Sequence, residues 1–181
     1  MAVSTTIPYI VILAAAMFAG IRSMQAADNK RVPALTVTVA LLLAGSLIFQ
    51  LTHPGFLNEI ERNKHELTTG QWWRLLTSLF GQDGGWSGGI VNIAFLFALG
   101  RLAEPTLGRK RWLLFFFGTG ILAQFVGLSF QPVGAGNSAA NFGLAAGLLV
   151  SYAIAAEKMS GYTPLVLALI AGIFLLVQND I

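Results

Sequence analysis

Gly134-Ala135-Gly136-Asn137-Ser138-Ala139-Ala140-Asn141-Phe142-Gly143-Leu144 is the stretch on which the reading of this chain turns. A glycine-rich turn leads into an apolar helical segment, and a serine stands at the junction. The residues alone leave two readings open. Ser138 or Asn137 caps the helix by accepting from its first free N–H groups, or Ser138 is a nucleophile at the membrane boundary. The second reading needs a base within hydrogen-bond reach.

The surrounding composition fixes the environment. Of 181 residues, 55% are hydrophobic and only 10% are charged, and mean hydropathy is +0.71. A soluble domain carries about 25% charged residues, so the chain reads as an all-α, polytopic membrane helix bundle. Cysteine is absent, which excludes disulfides, thiol catalysis and thiolate metal sites. The two histidines, His53 and His65, have no acidic or histidine partners at ligand spacing, so neither a metal nor any other cofactor is expected. A net charge of +3 gives no reason to expect nucleic acid. In such a chain Lys and Arg report topology.

Six apolar stretches can be read as spans, near Thr6–Ile21, Val32–Thr52, Trp86–Ala103, Trp112–Phe130, Ser138–Ala156 and Thr163–Gln178, the first of them short, since a span needs roughly 20 apolar residues and tolerates about 17. No basic residue precedes the first stretch, and Arg22, Lys30 and Arg31 follow it. This reverses the signal-peptide pattern and predicts a retained helix with its N-terminus outside. The alternate connections then hold eight of the eleven basic residues, Arg22, Lys30, Arg31, Arg101, Arg109, Lys110, Arg111 and Lys158, on the cytoplasmic side, as the positive-inside rule requires. The expected location is the plasma (inner) membrane. The long connection Thr52–Gly85 holds Trp72 to Phe80, which is rich in Trp and Leu and too short to span. It is expected to lie as a helix in the outer interface.

Polar side chains inside spans are costly and often functional. Asn92 lies roughly 9 Å into its helix at about 1.5 Å per residue, so Ser138 and Asn92 approach the same leaflet. An amide and a free helix N-terminus can both donate to an oxyanion. Asn92 also has a packing reading as an interhelical amide. Gly143 and Gly147 form a small-xxx-small stripe for close helix contact. Gln124 and Tyr152 read as packing or interface groups. Glu104 reads as a surface pair with Arg101 or as a loop anchor, and Arg109-Lys110-Arg111 as a lipid-facing cluster.

The order of Gly70-Gln71-Trp72-Trp73-Arg74-Leu75-Leu76-Thr77-Ser78-Leu79-Phe80, Asn92, Gly100-Arg101-Leu102-Ala103-Glu104-Pro105-Thr106-Leu107-Gly108 and the Ser138 segment resembles the rhomboid family of intramembrane serine proteases, from about Val32 to Gln178. The resemblance implies a rhomboid-like domain over 32–181, preceded over 1–31 by an added transmembrane helix and a cytoplasmic loop. It implies Ser138 as nucleophile in a Gly-x-Ser pattern opened by Gly136, and Asn92 as oxyanion donor. It also implies Trp73 and Arg74 as the pair shaping the first loop, and Glu104 as the acidic residue after the second core helix. The implied partners are transmembrane or membrane-anchored protein substrates and the lipid bilayer.

Three departures stand against this pattern. Gly88 replaces a histidine four before Asn92, and Ala139 replaces the glycine after Ser138. The family's general base is a histidine on the last core helix, which the sequence would reach just after Ile181. His53 and His65 lie in the polar half of the outer loop and are not expected to serve. The expected function is therefore a rhomboid-type serine endopeptidase cutting near the outer face, read from an incomplete product, with the 181 residues alone inactive. The alternative is a pseudoprotease that binds transmembrane clients. A channel or transporter fits poorly, because no span interior holds a charged residue and no internal repeat is visible.

Overall fold

The computed structural model describes residues 6–27 and 32–155. They form a helix bundle of α1 (Thr6–Ala27), α2 (Ala34–Thr52), α6 (Gly85–Leu107), α9 (Ser138–Ala155) and a rod built from α7 (Arg109–Leu113), a π-helical turn (Leu114–Gly118) and α8 (Thr119–Gly127). The short helices α3 (Phe56–Ile60), α4 (Lys64–Thr68) and α5 (Arg74–Thr77) lie in the connection between α2 and α6. Strands β1 (Arg62–Asn63) and β2 (Val133–Gly134) pair antiparallel.

Four of these helices are long and apolar enough to cross a membrane: Ile7–Gln25, Ala34–Thr52, Gly85–Leu107 and Ser138–Ala155. The rod 109–127 coincides with most of the expected span Trp112–Phe130 but is interrupted by its π turn. The expected span Thr163–Gln178 lies outside the described residues. Large apolar side chains such as Leu41, Leu42, Ile48 and Ile154 point outward, as lipid-facing residues do when backbone groups are satisfied inside the helices. The protein is an integral membrane protein with an all-α bundle.

α9 sits at the centre, packed on α1, α6 and the rod. Leu43, Leu96, Leu99, Trp112, Phe116, Leu144 and Leu148 form its core, joined by Leu13 and Ala16 of α1. Contacts fix the helix directions. Leu35 and Thr36 at the start of α2 meet Glu104 near the end of α6, whereas Gln50 near the end of α2 meets Gln82 just before α6. α2 and α6 are therefore antiparallel. α1 runs parallel to α9: Tyr9 meets Phe142, and Gly20 lies against Leu102 and Leu148.

The glycine stripe acts in packing. A Cβ at Gly143 would strike Thr119 Oγ1 and the Phe115 carbonyl. Only glycine lets α9 lie this close to the π turn, and one on α9 supports the contact with Phe115 a turn later, at Gly147. Extra width in a helical ladder of this kind is characteristic of π segments.

Two local expectations change. The segment 72–80 is not one interfacial helix. Only Arg74–Thr77 is α-helical, flanked by tight turns, because Arg74 is drawn inward to staple the loop while Trp72 and Trp73 stay exposed. Glu104 is not paired with Arg101. It is 4% exposed, and its carboxylate accepts from Leu35 N, Thr36 N and Thr36 Oγ1 at 3.1, 2.8 and 3.0 Å. It thus caps the N-terminus of α2 from another helix. Its cationic neighbour is Arg109, with Nε at 3.4 Å.

Candidate active site

Ser138 opens α9. The carbonyl of Asn137 accepts from Asn141 N at 3.0 Å, the first bond of the helix, so Asn137 is the flanking residue and Ser138 the first helical one. Neither side chain caps. Asn137 Oδ1 instead accepts from Gln82 Nε2 at 2.8 Å. The Ser138 hydroxyl is exposed and makes no hydrogen bond among the described residues. The N–H groups of the first turn have no acceptor within the helix. Gly136 precedes this junction with φ +138°, a backbone conformation that side chains disfavour.

Three neighbours clamp the turn. Gly136 N donates to Ser78 O at 2.8 Å, Ala135 N to the Asp83 carboxylate at 3.1 Å, and Gln124 Nε2 to Gly136 O at 3.3 Å. Gln124 is in turn held by Arg62, whose Nη1 donates to Gln124 Oε1 at 2.7 Å and to Gln124 O at 3.2 Å, while Nη2 donates to Gln131 O at 2.7 Å. Arg62 is 5% exposed. Burial holds its pKa below the ordinary arginine value, and nearby Asp83 partly opposes that shift. The β1–β2 pair and the bond from Lys64 N to Pro132 O at 2.9 Å tie the same loop to the connection before α6.

Asn92 projects from α6 into a ring of amides. Asn92 Nδ2 donates to Gln82 Oε1 at 2.8 Å, Gln82 Nε2 to Asn137 Oδ1 at 2.8 Å, Asn137 Nδ2 to Asn141 Oδ1 at 3.3 Å, and Asn141 Nδ2 to Asn92 O at 2.9 Å. Gln50 of α2 grips the Gln82 backbone on both sides, donating to its O at 2.8 Å and accepting from its N at 3.0 Å. The Asn92 amide retains a second N–H, since such a group carries two. Ser138, Asn92 and Asn141 line one cavity of about 400 Å³. On its other side Ser138 borders a second cavity of about 310 Å³ that includes Arg62, Asp83 and Gln124.

The structure thus brings Ser138 and Asn92 to one cavity, with Gly136 just before the Ser138 helix and Gly143 and Gly147 on it. Arg74 is buried and binds the loop, with Nε donating to Gln71 Oε1 at 2.7 Å and Nη1 to Asn58 O at 2.7 Å and Glu61 O at 3.1 Å. Trp73 lies outside this web. Glu104 sits at the opposite end of α6, far along the chain from Asn92. His53 ends α2, exposed, its Nδ1 within 2.9 Å of Thr52 Oγ1 and its ring stacked on Phe49. His65 is exposed on α4. Neither lines a cavity that contains Ser138. Next to Asn92, a Cβ at Gly88 would meet nothing within 4 Å.

Sequence reasoning missed Gln82, Asn141, Gln50, Arg62 and Asp83, and took Gln124 for a packing group. Two signals were available. Asn137 and Asn141 stand one turn apart on one helix face, and Gln50 and Gln124 are amides inside apolar segments, where an unpaired amide is expensive.

Comparison with known proteins agrees with this architecture. The rhomboid domain family matches residues 69–179, more than half of the chain. No curated protein and no solved structure matches it. The matched region takes in Arg74, the Asn92 helix and the serine-bearing helix at the bundle centre, and the chain belongs to the rhomboid family of membrane proteins.

Proposed function

We propose that this protein is a rhomboid-type intramembrane serine endopeptidase acting on membrane-anchored proteins. One observation carries the reading: an unbonded serine hydroxyl at a helix N-terminus shares a cavity with an amide aimed by a hydrogen-bonded ring. In this reading Ser138 Oγ attacks the scissile carbonyl. The Asn92 amide and the Ser138 N–H receive the developing oxyanion, where preorganised donors act most strongly. The acyl-enzyme is then hydrolysed. Proton removal from Ser138 needs a base within reach, and neither His53 nor His65 lines a cavity that contains Ser138.

Residues 1–31 are an added helix and loop, and 32–181 the rhomboid domain. The site faces the outer side of the plasma membrane, with the N-terminus outside. Arg101, Arg109, Lys110 and Arg111 lie at the end of the bundle opposite Ser138, the distribution expected of a cytoplasmic face.

The test is fluorophosphonate labelling of the natural gene product in its membrane. Labelling at Ser138 that disappears in Ser138→Ala supports the protease reading. Cleavage that persists in Ser138→Ala overturns the mechanism. Capture of transmembrane clients indifferent to Ser138→Ala, with no reactive serine, identifies a pseudoprotease instead.

A further inference from the structure

α1 is not an appendage to the bundle. Ala15, Ala16 and Ala19 are buried, and Gly20 lies so close that a Cβ there would sit 3.0 Å from Leu102 Cβ and 3.2 Å from Leu148 Cδ1. These small residues bring α1 from Ala15 onward into contact with α6 and α9. In the first half the side chains are large. Tyr9 and Leu13 meet the bundle there, with the Tyr9 and Phe142 rings 5.4 Å between centroids at 44°. Tyr9 and Leu13 line the 400 Å³ cavity that contains Ser138 and Asn92. Its remaining walls are Ile10, Phe95, Asn141 and Phe142.

We propose that α1 forms one wall of a substrate side-chain pocket, in which Tyr9 and Leu13 set the size of the apolar side chain held beside the Ser138 hydroxyl. The lining decides the class of occupant. Apart from the amides and the hydroxyl at one edge, it offers only aliphatic and aromatic surface, and such pockets take apolar groups with a few polar atoms fixing orientation. The occupant is a side chain of a membrane-anchored substrate, because the polar edge that would engage the scissile peptide is continuous with the apolar chamber. Discrimination rests on fit: in a hydrophobic pocket one methylene is worth about 10–200-fold. The inference rests on the reading of Ser138 as the reacting group.

The test is built so that this dependence can be separated. The chain has no cysteine, so Ser138→Cys introduces a single thiol at the pocket edge. Its rates of modification by methyl and benzyl methanethiosulfonate are measured in the full chain in bilayers. Tyr9→Ala is expected to raise the benzyl rate by about tenfold and to leave the methyl rate within about twofold. Tyr9→Trp is expected to lower the benzyl rate selectively. Thermal melting accompanies each variant, and rates are compared per folded molecule; Tyr9 is 41% exposed, so neither substitution empties a core position. Methyl and benzyl rates that move together, or that ignore both substitutions, overturn the proposal. A selective benzyl effect in a protein whose native Ser138 never labels with fluorophosphonate leaves the pocket standing and removes the protease reading instead.

Discussion

Asn92 Nδ2 donates to Gln82 Oε1 at 2.8 Å, so the direction of a membrane-helix amide is set by a loop residue ten positions earlier. Gln82 is itself buried, at 1% exposure, and held at its backbone by Gln50. The ring therefore connects α2, the loop, α6 and α9, and every member has a partner. A closed polar network of this kind rigidifies what it holds, whereas a broken one leaves several polar groups stranded together.

Gln82→Leu is the direct test of that coupling. The substitution strands Asn92 Nδ2 and Asn137 Oδ1, and leaving a buried polar group unpaired costs about 1–3 kcal/mol. The melting temperature in detergent is expected to fall, and fluorophosphonate labelling of Ser138 in the natural product is expected to fall further than the loss of folded protein explains. Gln82→Glu keeps the acceptor for Asn92 but removes the donor to Asn137, and should retain more labelling than the leucine variant. Equal labelling per folded molecule in all three proteins would dissociate Gln82 from the site.

Part of this arrangement was legible in the sequence and part was not, and the division has a physical basis. Hydropathy reports which segments can lie in lipid, so the helices containing Asn92 and Ser138 were readable, and their depth followed from helical rise. Both residues were expected in one leaflet, and both line one cavity. The partner of Glu104 was not readable, because Thr36 is 68 positions away and meets it only after α2 packs against α6. Arg62 gave no signal either. A charged residue in a polar loop looks solvated until β1 pairs with β2 and buries it between Gln124 and Gln131. Hydropathy also could not show that α1 packs into the core, since a lipid-facing helix and a packed one have similar composition.

Two glycines provide a contrasting pair. At Gly143 an added methyl would collide with Thr119 Oγ1 and with the fixed Phe115 carbonyl, and backbone cannot yield as a flexible side chain does. Gly143→Ala is therefore expected to destabilise by about 1–3 kcal/mol, the usual range for overpacking. Gly88→Ala adds the same methyl where nothing lies within 4 Å. Relative to glycine, alanine favours a helix interior by up to about 1 kcal/mol, so this variant should be neutral or slightly stabilised. Unfolding in a graded denaturant series, read by tryptophan fluorescence, separates the two. Similar losses in both would mean that the α9–π-turn contact is not as tight as described.

Glu104 supports the opposite end of the bundle. Its carboxylate satisfies two N–H groups at the start of α2, where the Pro33 junction provides no side-chain cap. Glu104→Ala should cost about 1–3 kcal/mol through those stranded donors. Glu104→Gln keeps one acceptor oxygen and should recover part of the loss. The Arg109 contribution is expected to be small: its side chain is 71% exposed, and exposed ion pairs contribute about 0–1 kcal/mol. Melting of Arg109→Gln close to that of the native protein, beside a clear loss in Glu104→Ala, would assign the role to capping; the reverse order would assign it to charge pairing.

Glu61 gives the loop a defined response to acid. Burial raises its carboxyl pKa above the ordinary 4.5; Arg74 pulls it down, and Asp83 pushes it up again, with burial the largest influence. The folded state consequently binds this proton more tightly than the unfolded chain does. Its contribution to stability is fully present below 4.5 and is lost as pH rises through the raised folded value. Near neutral pH the ionised, partly desolvated carboxylate opposes folding of the segment that Arg74 staples. Glu61→Gln removes that opposition while preserving shape and the Glu61 backbone carbonyl that accepts from Arg74. The variant should melt above the native protein near neutral pH, and the difference should shrink as pH falls through the raised folded value toward 4.5. A difference that stays constant across that range would show that the two effects cancel, and one that grows on acidification would show that Arg74 stabilises the Glu61 carboxylate more than burial penalises it.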